Sequence, residues 1–318
     1  MIKKIAVLTS GGDAPGMNAA VRSVVRTSLN YGLDVFLIYD GYLGLYKNKI
    51  VQATKESVKD TLNRGGTFLG TARLKEFDNI LVQEQAVEHL NEHGIDALVA
   101  IGGDGTYRGA LALSKLGIRT VGIPCTIDND ISGTDFTIGF DTALSTIVEN
   151  VDKLRDTSSS HKRCSIIEVM GRDCGALAMW SALATGAEYV ITKETGYNEE
   201  KLINSIKDAY RVKEHAIVLV AEKMLDINEL TKKVAELTPF ETRSTILGHV
   251  QRGGTPTARD RVLASLMGVK AVDAVMEGQS GVCVCEVKNE IVVRKFEDVL
   301  GKKRNQVEPL LTSFKKLW

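Results

Sequence analysis

The stretch ALVAIGGDGT, residues 97–106, places a short apolar strand directly before a glycine-rich turn. Its first five residues, Ala97–Ile101, are small or branched apolar residues that favour a buried strand. The glycines that follow let the backbone approach a polyphosphate closely, and the next helix presents its N-terminus to such a group. Asp104 lies within the turn, where a carboxylate can hold Mg²⁺ directly or through water. A tight strand-to-helix turn without any ligand is the alternative for a single loop of this kind.

Another glycine-rich turn, SGGDAPGMN at residues 10–18, follows the predicted strand Ile5–Thr9 and leads into a helix that starts near Asn18. In chain order, residues 10–18 are the first glycine turn and residues 102–106 the second. The backbone N–H groups of such a turn, together with a helix N-terminus, suit phosphate binding. The turn matches neither a Walker A loop nor a G-x-G-x-x-G fingerprint, which disfavours a Rossmann dehydrogenase. Two such turns in one chain favour a protein that binds a polyphosphate.

Two acids follow the apolar run Thr120–Pro124, in the sequence TIDND at residues 126–130. Asp128 and Asp130 are two residues apart, so in an extended segment both side chains point the same way. At the carboxyl end of a strand they would face the crevice where open α/β sheets bind ligands. Two converging acids are costly unless a metal ion or a proton transfer uses them. The pattern therefore favours a catalytic site, and a helix cap or an Asx-turn is the structural alternative.

Short apolar strands alternate with amphipathic helices along nearly the whole chain, which predicts an α/β protein with parallel sheets covered on both faces. The further predicted strands are Val35–Tyr39, Thr120–Ile123, Ser165–Val169, Tyr189–Thr192, Ala216–Ala221 and Ser244–Val250. The clearest helices are Gln83–His93, Asp141–Arg155, Glu199–Arg211 and Ala258–Met276. A chain of 318 residues indicates two domains or one large α/β unit. Composition marks no domain boundary, and the last segment, residues 286–318, is more polar and is expected to be less regular at its end.

Acidic and basic residues balance at 40 each, so we expect no attraction to nucleic acid or to membranes. The chain has no run of eighteen apolar residues and its start leads straight into a strand, which predicts neither a membrane span nor a signal peptide. Five scattered cysteines predict a reduced, cytoplasmic protein without a disulfide framework. Cys283 and Cys285 fit two small residues on one side of a strand better than a fragment of a metal site.

Basic residues recur in glycine-rich segments and at predicted strand ends. Residues 64–73, RGGTFLGTAR, are predicted to be flexible, and Arg73 could reach a transferring phosphoryl group or simply lie on the surface. In the second half, arginines and a histidine in SSSHKR at 158–163 and GHVQRGG at 248–254 suit a phosphate monoester. His249 on a strand would usually be a core histidine, but its place just before Arg252 favours a ligand contact.

The motifs GGDAPGMN, GGTFLGTAR, IGGDGT, TIDND, TSSSHKR, EVMGR and LGHVQRGG occur in the order in which they occur in bacterial ATP-dependent 6-phosphofructokinases. The chain resembles this family from Lys4 to about Gly278, with a weaker tail. The resemblance implies two doubly wound, mainly parallel-sheet, Rossmann-like domains with the active site in the cleft between them. The implied ATP-binding domain is 1–138 plus 251–301, and the implied fructose 6-phosphate-binding domain is 139–250 plus 302–318.

The family's reaction, carried over as an expectation, is Mg²⁺-dependent transfer of the ATP γ-phosphoryl to the 1-hydroxyl of fructose 6-phosphate, in glycolysis. Asp128 matches the general base, Thr126 a contact of the phosphoryl group, Asp104 the Mg²⁺-associated acid and Asp130 an acid assisting near the metal and substrate. The other catalytic matches are Gly11, Arg73 and Arg172, and the implied ATP contacts are Gly11, Tyr42, Arg73, Gly103, Asp104, Gly105 and Thr106. The implied substrate contacts are Thr126, Asp128, Asp130, Arg163, Met170, Gly171, Arg172, Glu222, Arg243, His249 and Arg252. Of these, Arg163 and Arg243 match arginines that reach across a subunit interface.

The family also implies an effector site for ADP or phosphoenolpyruvate, in a homotetramer whose interfaces complete both sites. The matching positions are Arg22, Arg26, Asp60, Arg155, Gly186, Glu188, Arg211 and Lys213. On their residues alone, Arg22 and Arg26 are one basic face of a helix at i, i+4.

Cys125 departs from the family pattern, which typically has glycine there. Pyrophosphate-dependent relatives typically place lysine at that position and aspartate at the Gly105 position. Gly105 keeps room for a nucleotide α-phosphate, so ATP stays the favoured donor, although the cysteine could crowd the polyphosphate or leave an oxidisable thiol near it. Lys193, where proline is usual, and Ala176, where an acid is common, have no mechanistic account.

Three alternatives stay open at this point. The first is a pyrophosphate-dependent phosphofructokinase. The second is an NAD or lipid kinase, which shares the Gly-Gly-Asp-Gly loop but has no use for TIDND. The third is a non-catalytic sensor of nucleotide or sugar phosphate, which would have no need of both Asp104 and Asp128.

Overall fold

The computed structural model describes residues 2–302 and 304–317, so Met1, Lys303 and Trp318, which end or interrupt the predicted domain ranges, lie outside the description. The strands are β1 Lys4–Ser10, β2 Asp34–Ile38, β3 Ile50–Gln52, β4 Ala97–Gly102, β5 Arg119–Pro124, β6 Arg163–Val169, β7 Tyr189–Ile191, β8 Ala216–Ala221, β9 Glu241–Ile246, β10 Val282–Val287 and β11 Glu290–Lys295. The helices are α1 Met17–Asn30, α2 Gly41–Tyr46, α3 Ile80–Glu92, α4 Asp104–Lys115, α5 Phe140–His161, α6 Ala176–Thr185, α7 Glu199–Lys213, α8 Ile227–Leu237, α9 Ala258–Met276, α10 Phe296–Val299 and α11 Glu308–Leu317. The predicted α/β class is confirmed.

Two compact units divide the chain. The first comprises Met1–Ile127, Ile131–Thr142 and Arg252–Arg304, and the second comprises Asp128–Asp130, Ala143–Gln251 and Asn305–Trp318. This division describes packing within the chain.

The first unit holds a seven-stranded sheet in the order β11-β10-β5-β4-β1-β2-β3. Its five central strands run parallel, and only β3 and β11 at the two edges are antiparallel to their neighbours. In the register, Ser10 lies opposite Gly102, and Gly102 lies opposite Pro124. Because parallel strands end at one edge, the two glycine turns and the segment after Pro124 all begin side by side.

The second unit holds a four-stranded, all-parallel sheet in the order β7-β8-β6-β9. Its strand β8 is a continuous apolar run, and every residue of β6 except Arg163 and Glu168 is buried, as expected where helices cover both faces. Side chains of α7, among them Leu202 and Ile206, pack with Ile166 and Val218 in one buried cluster.

Two sequence predictions of secondary structure are wrong. The strand predicted at Ser244–Val250 is β9, which ends at Ile246, and Gly248–Arg252 is a 3₁₀ helix. Gly248 adopts φ +55, a left-handed conformation that ends the extended chain. The last segment was expected to be less regular at its end, but within the described residues α11 occupies Glu308–Leu317. Earlier in the same segment, β11 pairs with β10 along the sheet edge.

The five cysteines are free and buried, and the thiols of Cys283 and Cys285 lie 3.8 Å apart on β10. This distance confirms that the two side chains lie on one side of the strand. Among the described helices, none combines the length and the apolar character needed to cross a membrane.

Candidate active site

The two glycine turns of the first unit are joined by a side-chain hydrogen bond. The Thr106 hydroxyl, in the first turn of α4, donates to the carbonyl oxygen of Ser10 at 3.0 Å. A Cβ added to Gly102 would lie 2.3 Å from that carbonyl oxygen, so only glycine permits this approach. A Cβ added to Gly103 or to Gly105 would meet nothing within 4 Å, so the outer side of this turn is open.

Tyr42 is buried behind the second glycine turn. Its hydroxyl donates to the carbonyl oxygen of Thr106 at 2.6 Å, and its ring stacks on Phe77 with centroids 4.3 Å apart. The ring also fills the space that a side chain at Gly109 would need. Burial raises the pKa of Tyr42, so the phenol stays a neutral donor. Tyr42 therefore supports the turn from below, and its role as a direct ATP contact stays a prediction.

The segment at residues 64–73 is irregular but anchored, which corrects the expectation that it is flexible. The Asn18 amide donates to the carbonyl oxygens of Arg64 and Gly65 at 3.0 and 3.3 Å, and Asn18 Oδ1 accepts from the Phe68 N–H at 2.9 Å. The Thr71 hydroxyl donates to the carbonyl oxygen of Gly11 at 2.7 Å. These bonds hold the segment beside the first glycine turn and leave the Arg73 side chain exposed.

Arg252 lies against the first glycine turn. Its Nη1 donates to the carbonyl oxygen of Asp13 at 3.3 Å, and a Cβ on Gly12 would come within 2.6 Å of the same nitrogen. The sequence prediction grouped Arg252 with the sugar-phosphate contacts of the second half. Within the first unit, however, its guanidinium adds positive charge beside a turn that presents backbone N–H groups.

The TIDND segment is a turn, which corrects the assumption of an extended strand. Just before the turn, Thr126 is bonded to the segment before α5, because its N–H donates to the carbonyl oxygen of Ile138 at 3.0 Å. Asn129 adopts φ +51, a left-handed conformation that asparagine tolerates better than most residues. The alternation rule for strands therefore does not set the directions of the two acids. Asp128 is buried and Asp130 is half-buried.

The C-terminal segment holds Asn129 in place, a contact that sequence reasoning missed. The Asn129 amide donates to Gln306 Oε1 at 2.7 Å, and Gln306 Nε2 donates back to the Asn129 carbonyl oxygen. Both residues are buried. No motif marks Gln306, and the one local signal was an asparagine between two acids, a residue that favours left-handed turns.

In the second unit, predicted substrate residues meet where β6 and β8 end. Glu222 Oε1 accepts from the backbone N–H of Arg172 at 2.7 Å, and Arg172 itself adopts φ +56. The backbone N–H of Met170 donates to Gln251 Oε1 at 3.0 Å. A Cβ on Gly171 would lie 2.4 Å from the carbonyl oxygen of Cys174, so this turn requires glycine.

Cys174 links this turn to the acids of TIDND. Burial is the main cause that raises the pKa of the Cys174 thiol to about 11; a hydrogen bond from the Ala176 backbone N–H lowers it, and the negative charges of Glu194, Asp130 and Asp128 make smaller raising contributions. The electrostatic influence means that the two acids lie near the Gly171–Cys174 turn within the second unit.

Arg163 and Arg243 share one carboxylate. Arg163 Nε donates to Glu241 Oε2 at 2.9 Å, and Arg243 bonds to the other oxygen of Glu241. His249 is exposed within the 3₁₀ helix, so the core-histidine alternative is wrong. Neither arginine has a hydrogen bond to His249 among the described contacts, so their convergence on one phosphate stays a prediction.

Four of the predicted effector residues lie together in the second unit. Glu188 is fully buried, pairs with Lys213 and accepts from the backbone N–H of Ile217. Arg155 donates to the carbonyl oxygen of Thr185, next to Gly186, where α6 ends. Arg211 instead pairs with Asp208 on the surface of α7. Arg22, Arg26 and Asp60 belong to the first unit.

The donor set at the second glycine turn fits Mg²⁺ that is bound together with phosphates. Asp104 contributes one carboxylate at the start of α4. Across residues 2–302 and 304–317, no group of three or more His, Cys, Asp and Glu side chains could hold a metal ion by itself. Mg²⁺ typically takes one or two carboxylates, substrate phosphates and several waters, so a single carboxylate beside an open phosphate turn is a suitable partner.

A groove beside α4 was not predicted from the sequence. It has a volume of about 330 Å³ and is lined by residues of α3, α4 and the following turn, namely Ile80, Gln83, Arg108, Leu111, Ala112, Lys115 and Leu116. The groove starts one helical turn after Asp104 and combines apolar walls with two cationic side chains. Such a lining suits a flat, polar ring system.

Cys125 does not line the open side of the turn. Its side chain is 1% exposed, and burial raises the pKa of its thiol well above the ordinary value, with smaller contributions from the charges of Asp260 and Asp13. A buried, protonated thiol is a poor nucleophile, so oxidation of Cys125 is disfavoured, and its effect on the polyphosphate donor stays a prediction. Lys193 forms an exposed ion pair with Asp173, and Ala176 is buried at the start of α6, but nothing in the structure explains either departure.

Comparisons with known proteins agree with this geometry. A profile of the family described as Phosphofructokinase matches residues 4–275. The chain is 58% identical to an ATP-dependent 6-phosphofructokinase of Vibrio vulnificus, over 98% of this chain and 96% of that protein. It is 56% identical to one of Vibrio cholerae, over 100% and 98% of the two chains. The solved Saccharomyces cerevisiae phosphofructokinase superposes with a TM-score of 0.86 and 38% identity, over 99% of this chain and 47% of the longer yeast chain. The chain therefore belongs to the phosphofructokinase family.

Proposed function

We propose that the chain transfers the γ-phosphoryl group of ATP to the 1-hydroxyl of fructose 6-phosphate, with Mg²⁺, and so produces fructose 1,6-bisphosphate and ADP. The observation that carries this proposal is the pair of glycine turns bonded through Thr106 and Ser10, next to Thr126 at the same sheet edge. The names of the relatives at 56–58% identity support the same donor and acceptor. In metabolism, this reaction belongs to glycolysis.

In the proposed reaction, the 1-hydroxyl oxygen attacks the γ-phosphorus, the bond from that phosphorus to the β,γ-bridging oxygen breaks, and ADP leaves. Asp128 takes the hydroxyl proton as the new bond forms. Thr126 contacts the transferring group, while the backbone N–H of Gly11 and the Arg73 guanidinium stabilise its charge. Asp104 would hold Mg²⁺, which when bound would supply positive charge to the phosphates, and Asp130 is the assisting acid that the family resemblance implies.

We assign the nucleotide to the first unit and the sugar phosphate to the second. The domain ranges implied by the family resemblance, 1–138 plus 251–301 and 139–250 plus 302–318, stay predictions. The open turn at Gly103–Thr106 suits the phosphates, and the groove along α4 suits the adenine ring, with Arg108 at its edge. The relatives at 56–58% identity are named ATP-dependent, which supports ATP over pyrophosphate as the donor.

The sugar phosphate is assigned to the basic residues of the second half. Arg163, Arg243 and Arg252 would bind the 6-phosphate, because a guanidinium pairs with phosphate oxygens in a two-pronged geometry. Glu222, His249 and the Met170–Arg172 turn would bind the sugar hydroxyls. In the proposed homotetramer, Arg163 and Arg243 act across a subunit interface, and their shared partner Glu241 holds them until a phosphate replaces it.

Regulation by ADP or phosphoenolpyruvate is proposed for the predicted effector positions. Arg155, Gly186, Glu188 and Lys213 already lie together, and the buried Glu188–Lys213 pair holds the lysine at this place. Arg22, Arg26, Asp60 and Arg211 complete the proposed set.

Initial rates with Mg²⁺ and fructose 6-phosphate test the proposed function directly. With ATP as donor we expect fructose 1,6-bisphosphate to form with a kcat of roughly 1–100 per second, the range of typical kinases. With pyrophosphate we expect no turnover above the blank. Turnover with pyrophosphate alone would reverse the donor assignment, and binding of both ligands without any product would favour the sensor.

Replacement of Gln306 by alanine tests the contact between the C-terminal segment and TIDND. We expect kcat to fall about tenfold, because small displacements of catalytic groups are costly, with little change in KM for ATP. Asn129 would also lose buried hydrogen bonds, which costs about 1–3 kcal/mol of folding free energy. Gln52→Ala, on an exposed edge strand, is the matched control and is expected to retain full activity. Unchanged kcat in a folded Gln306→Ala enzyme would contradict the prediction.

A further inference from the structure

A buried carboxylate that the proposed chemistry does not use lies at the start of α9. Asp260 is 1% exposed, and its oxygens point across to the start of α5. Oδ1 accepts from the backbone N–H of Gly139 at 3.0 Å, and Oδ2 accepts from the backbone N–H of Thr142 at 2.9 Å and from the Thr142 hydroxyl. Burying a carboxylate costs folding free energy unless its oxygens accept hydrogen bonds. Three donors satisfy the oxygens of Asp260, so this carboxylate holds the start of α5 in a fixed position.

The two helices cap each other at this point. Thr257 caps α9 by accepting from the Asp260 N–H at 3.3 Å, while the Thr142 hydroxyl accepts from the Thr257 N–H at 3.0 Å. In an ordinary capping box, the third helical residue returns to its own helix start. Here Asp260 occupies that position but caps α5 instead, so the starts of α5 and α9 are locked together.

Further hydrogen bonds connect Gly139 and its neighbours to the proposed catalytic segment. Gly139 follows Ile138 in the chain. The carbonyl oxygen of Ile138 accepts from the Thr126 N–H at 3.0 Å, and the Ile138 N–H donates to the carbonyl oxygen of Pro124 at 3.0 Å. The Thr137 hydroxyl donates to the carbonyl oxygen of Thr126 at 2.7 Å. Residues 137–139 thus hold Thr126 on both sides of its backbone, and Asp260 holds residue 139.

The end of the first glycine turn packs against Ile138 and Asp260. A Cβ on Gly16 would lie 2.5 Å from the Ile138 side chain and 3.7 Å from Asp260 Cβ. A Cβ on Gly139 would lie 2.7 Å from Ala14 Cβ. The end of the phosphate turn and the segment that supports Thr126 therefore rest on one small set of atoms around Asp260.

We infer that Asp260 is a positioning residue for phosphoryl transfer, because its carboxylate sets the place of Thr126 relative to the first glycine turn. This inference rests on the proposed function. Asp260 touches no reacting atom, so its removal should affect the rate of the chemical step more than the binding of either substrate.

The protonation state of Asp260 fixes the conditions of the test. The pKa of Asp260 is raised to about 6, mainly by burial and to a smaller extent by the charge of Asp141. The hydrogen bonds from Thr142 and Gly139 act in the opposite direction and lower it. At about pH 8 the carboxylate is ionised and accepts all three hydrogen bonds. Kinetics are therefore compared at that pH.

Asp260→Asn keeps the size of the side chain but places an amide N–H₂ against backbone N–H donors. We expect kcat to fall by about 10- to 100-fold, with both KM values within about threefold of wild type. A kcat within about twofold of wild type, in a variant that melts cooperatively, would overturn the inference. The inference would also be overturned if the loss of kcat equalled the fraction of the variant protein that is unfolded under the assay conditions.

A second pair of variants decides the matter if Asp260→Asn does not fold. Thr142→Val removes the hydroxyl that joins the two caps, and Thr142→Ser retains it. We expect about a tenfold loss of kcat in the valine variant and recovery in the serine variant, and equal kcat in both would overturn the inference. Asp226→Ala, which removes the cap of α8, is the control for simple cap loss and should lower Tm without lowering kcat. Wild-type enzyme without turnover would refute the proposed function itself, whereas active wild type with active variants would refute only the role of Asp260.

Discussion

The Asp128→Ser enzyme is expected to lose about 10²- to 10⁴-fold in kcat, the usual contribution of a general base. Asp128 is buried in a turn whose neighbour Asn129 is fixed by Gln306, so the carboxylate is held in a defined place before substrate binds. Serine is too short and too weakly basic to take the hydroxyl proton. We expect the KM for ATP to stay within about threefold, because the glycine turns proposed to bind the phosphates are unchanged.

A matched control lies a few residues further along the chain. Asp135 carries a carboxylate on the same connection, but it accepts from the Lys288 N–H at 2.7 Å at the β10–β11 hairpin. Asp135→Asn is expected to keep kcat within about twofold of wild type. Steady-state kinetics, together with ATP binding measured by calorimetry, separate the two variants. Near-normal turnover in Asp128→Ser would exclude Asp128 as the base.

Local sequence patterns predicted the elements that carry the site because these patterns depend on near neighbours. An apolar strand followed by glycines and a helix defines both glycine turns, and parallel pairing then aligns Ser10, Gly102 and Pro124 at one edge. The class of the fold and the family followed from the order of such segments. Long-range register was not needed for either conclusion.

Side-chain contacts between distant segments could not be predicted in this way. Gln306 lies 177 residues from Asn129, and Asp260 lies 118 residues from Thr142, and neither contact leaves a local trace. The direction of the Asp128 side chain could not be predicted either. It depends on the left-handed backbone conformation of Asn129 and does not follow the alternation of a strand. Likewise, β9 could not be ended correctly from hydrophobicity, since Leu247 is buried beyond the strand and only Gly248 turns the chain.

Replacing Gly105 by aspartate is expected to raise the KM for ATP by about 100-fold. The position lies in the first turn of α4 and is open, because an added Cβ would meet nothing within 4 Å. The fold should therefore tolerate the change, and a carboxylate in a first helical turn even interacts favourably with the helix dipole. The new charge would instead face the nucleotide phosphates. Two like charges about 5 Å apart repel by about 3 kcal/mol at an effective dielectric constant near 20, which corresponds to about a 100-fold weaker interaction.

Gly105→Asn separates charge from size, because asparagine occupies the same space without the charge. We expect its KM for ATP to rise by less than about tenfold, so that most of the aspartate effect is electrostatic. The same two variants are assayed with pyrophosphate, since relatives that use pyrophosphate typically carry aspartate at this position. If Gly105→Asp and Gly105→Asn raised the KM for ATP equally, the effect would be steric and the turn would be more tightly filled by the nucleotide than its open side indicates. If neither variant changed it, the phosphates would not bind at the second glycine turn, because no polyphosphate placed there could avoid a charge at residue 105.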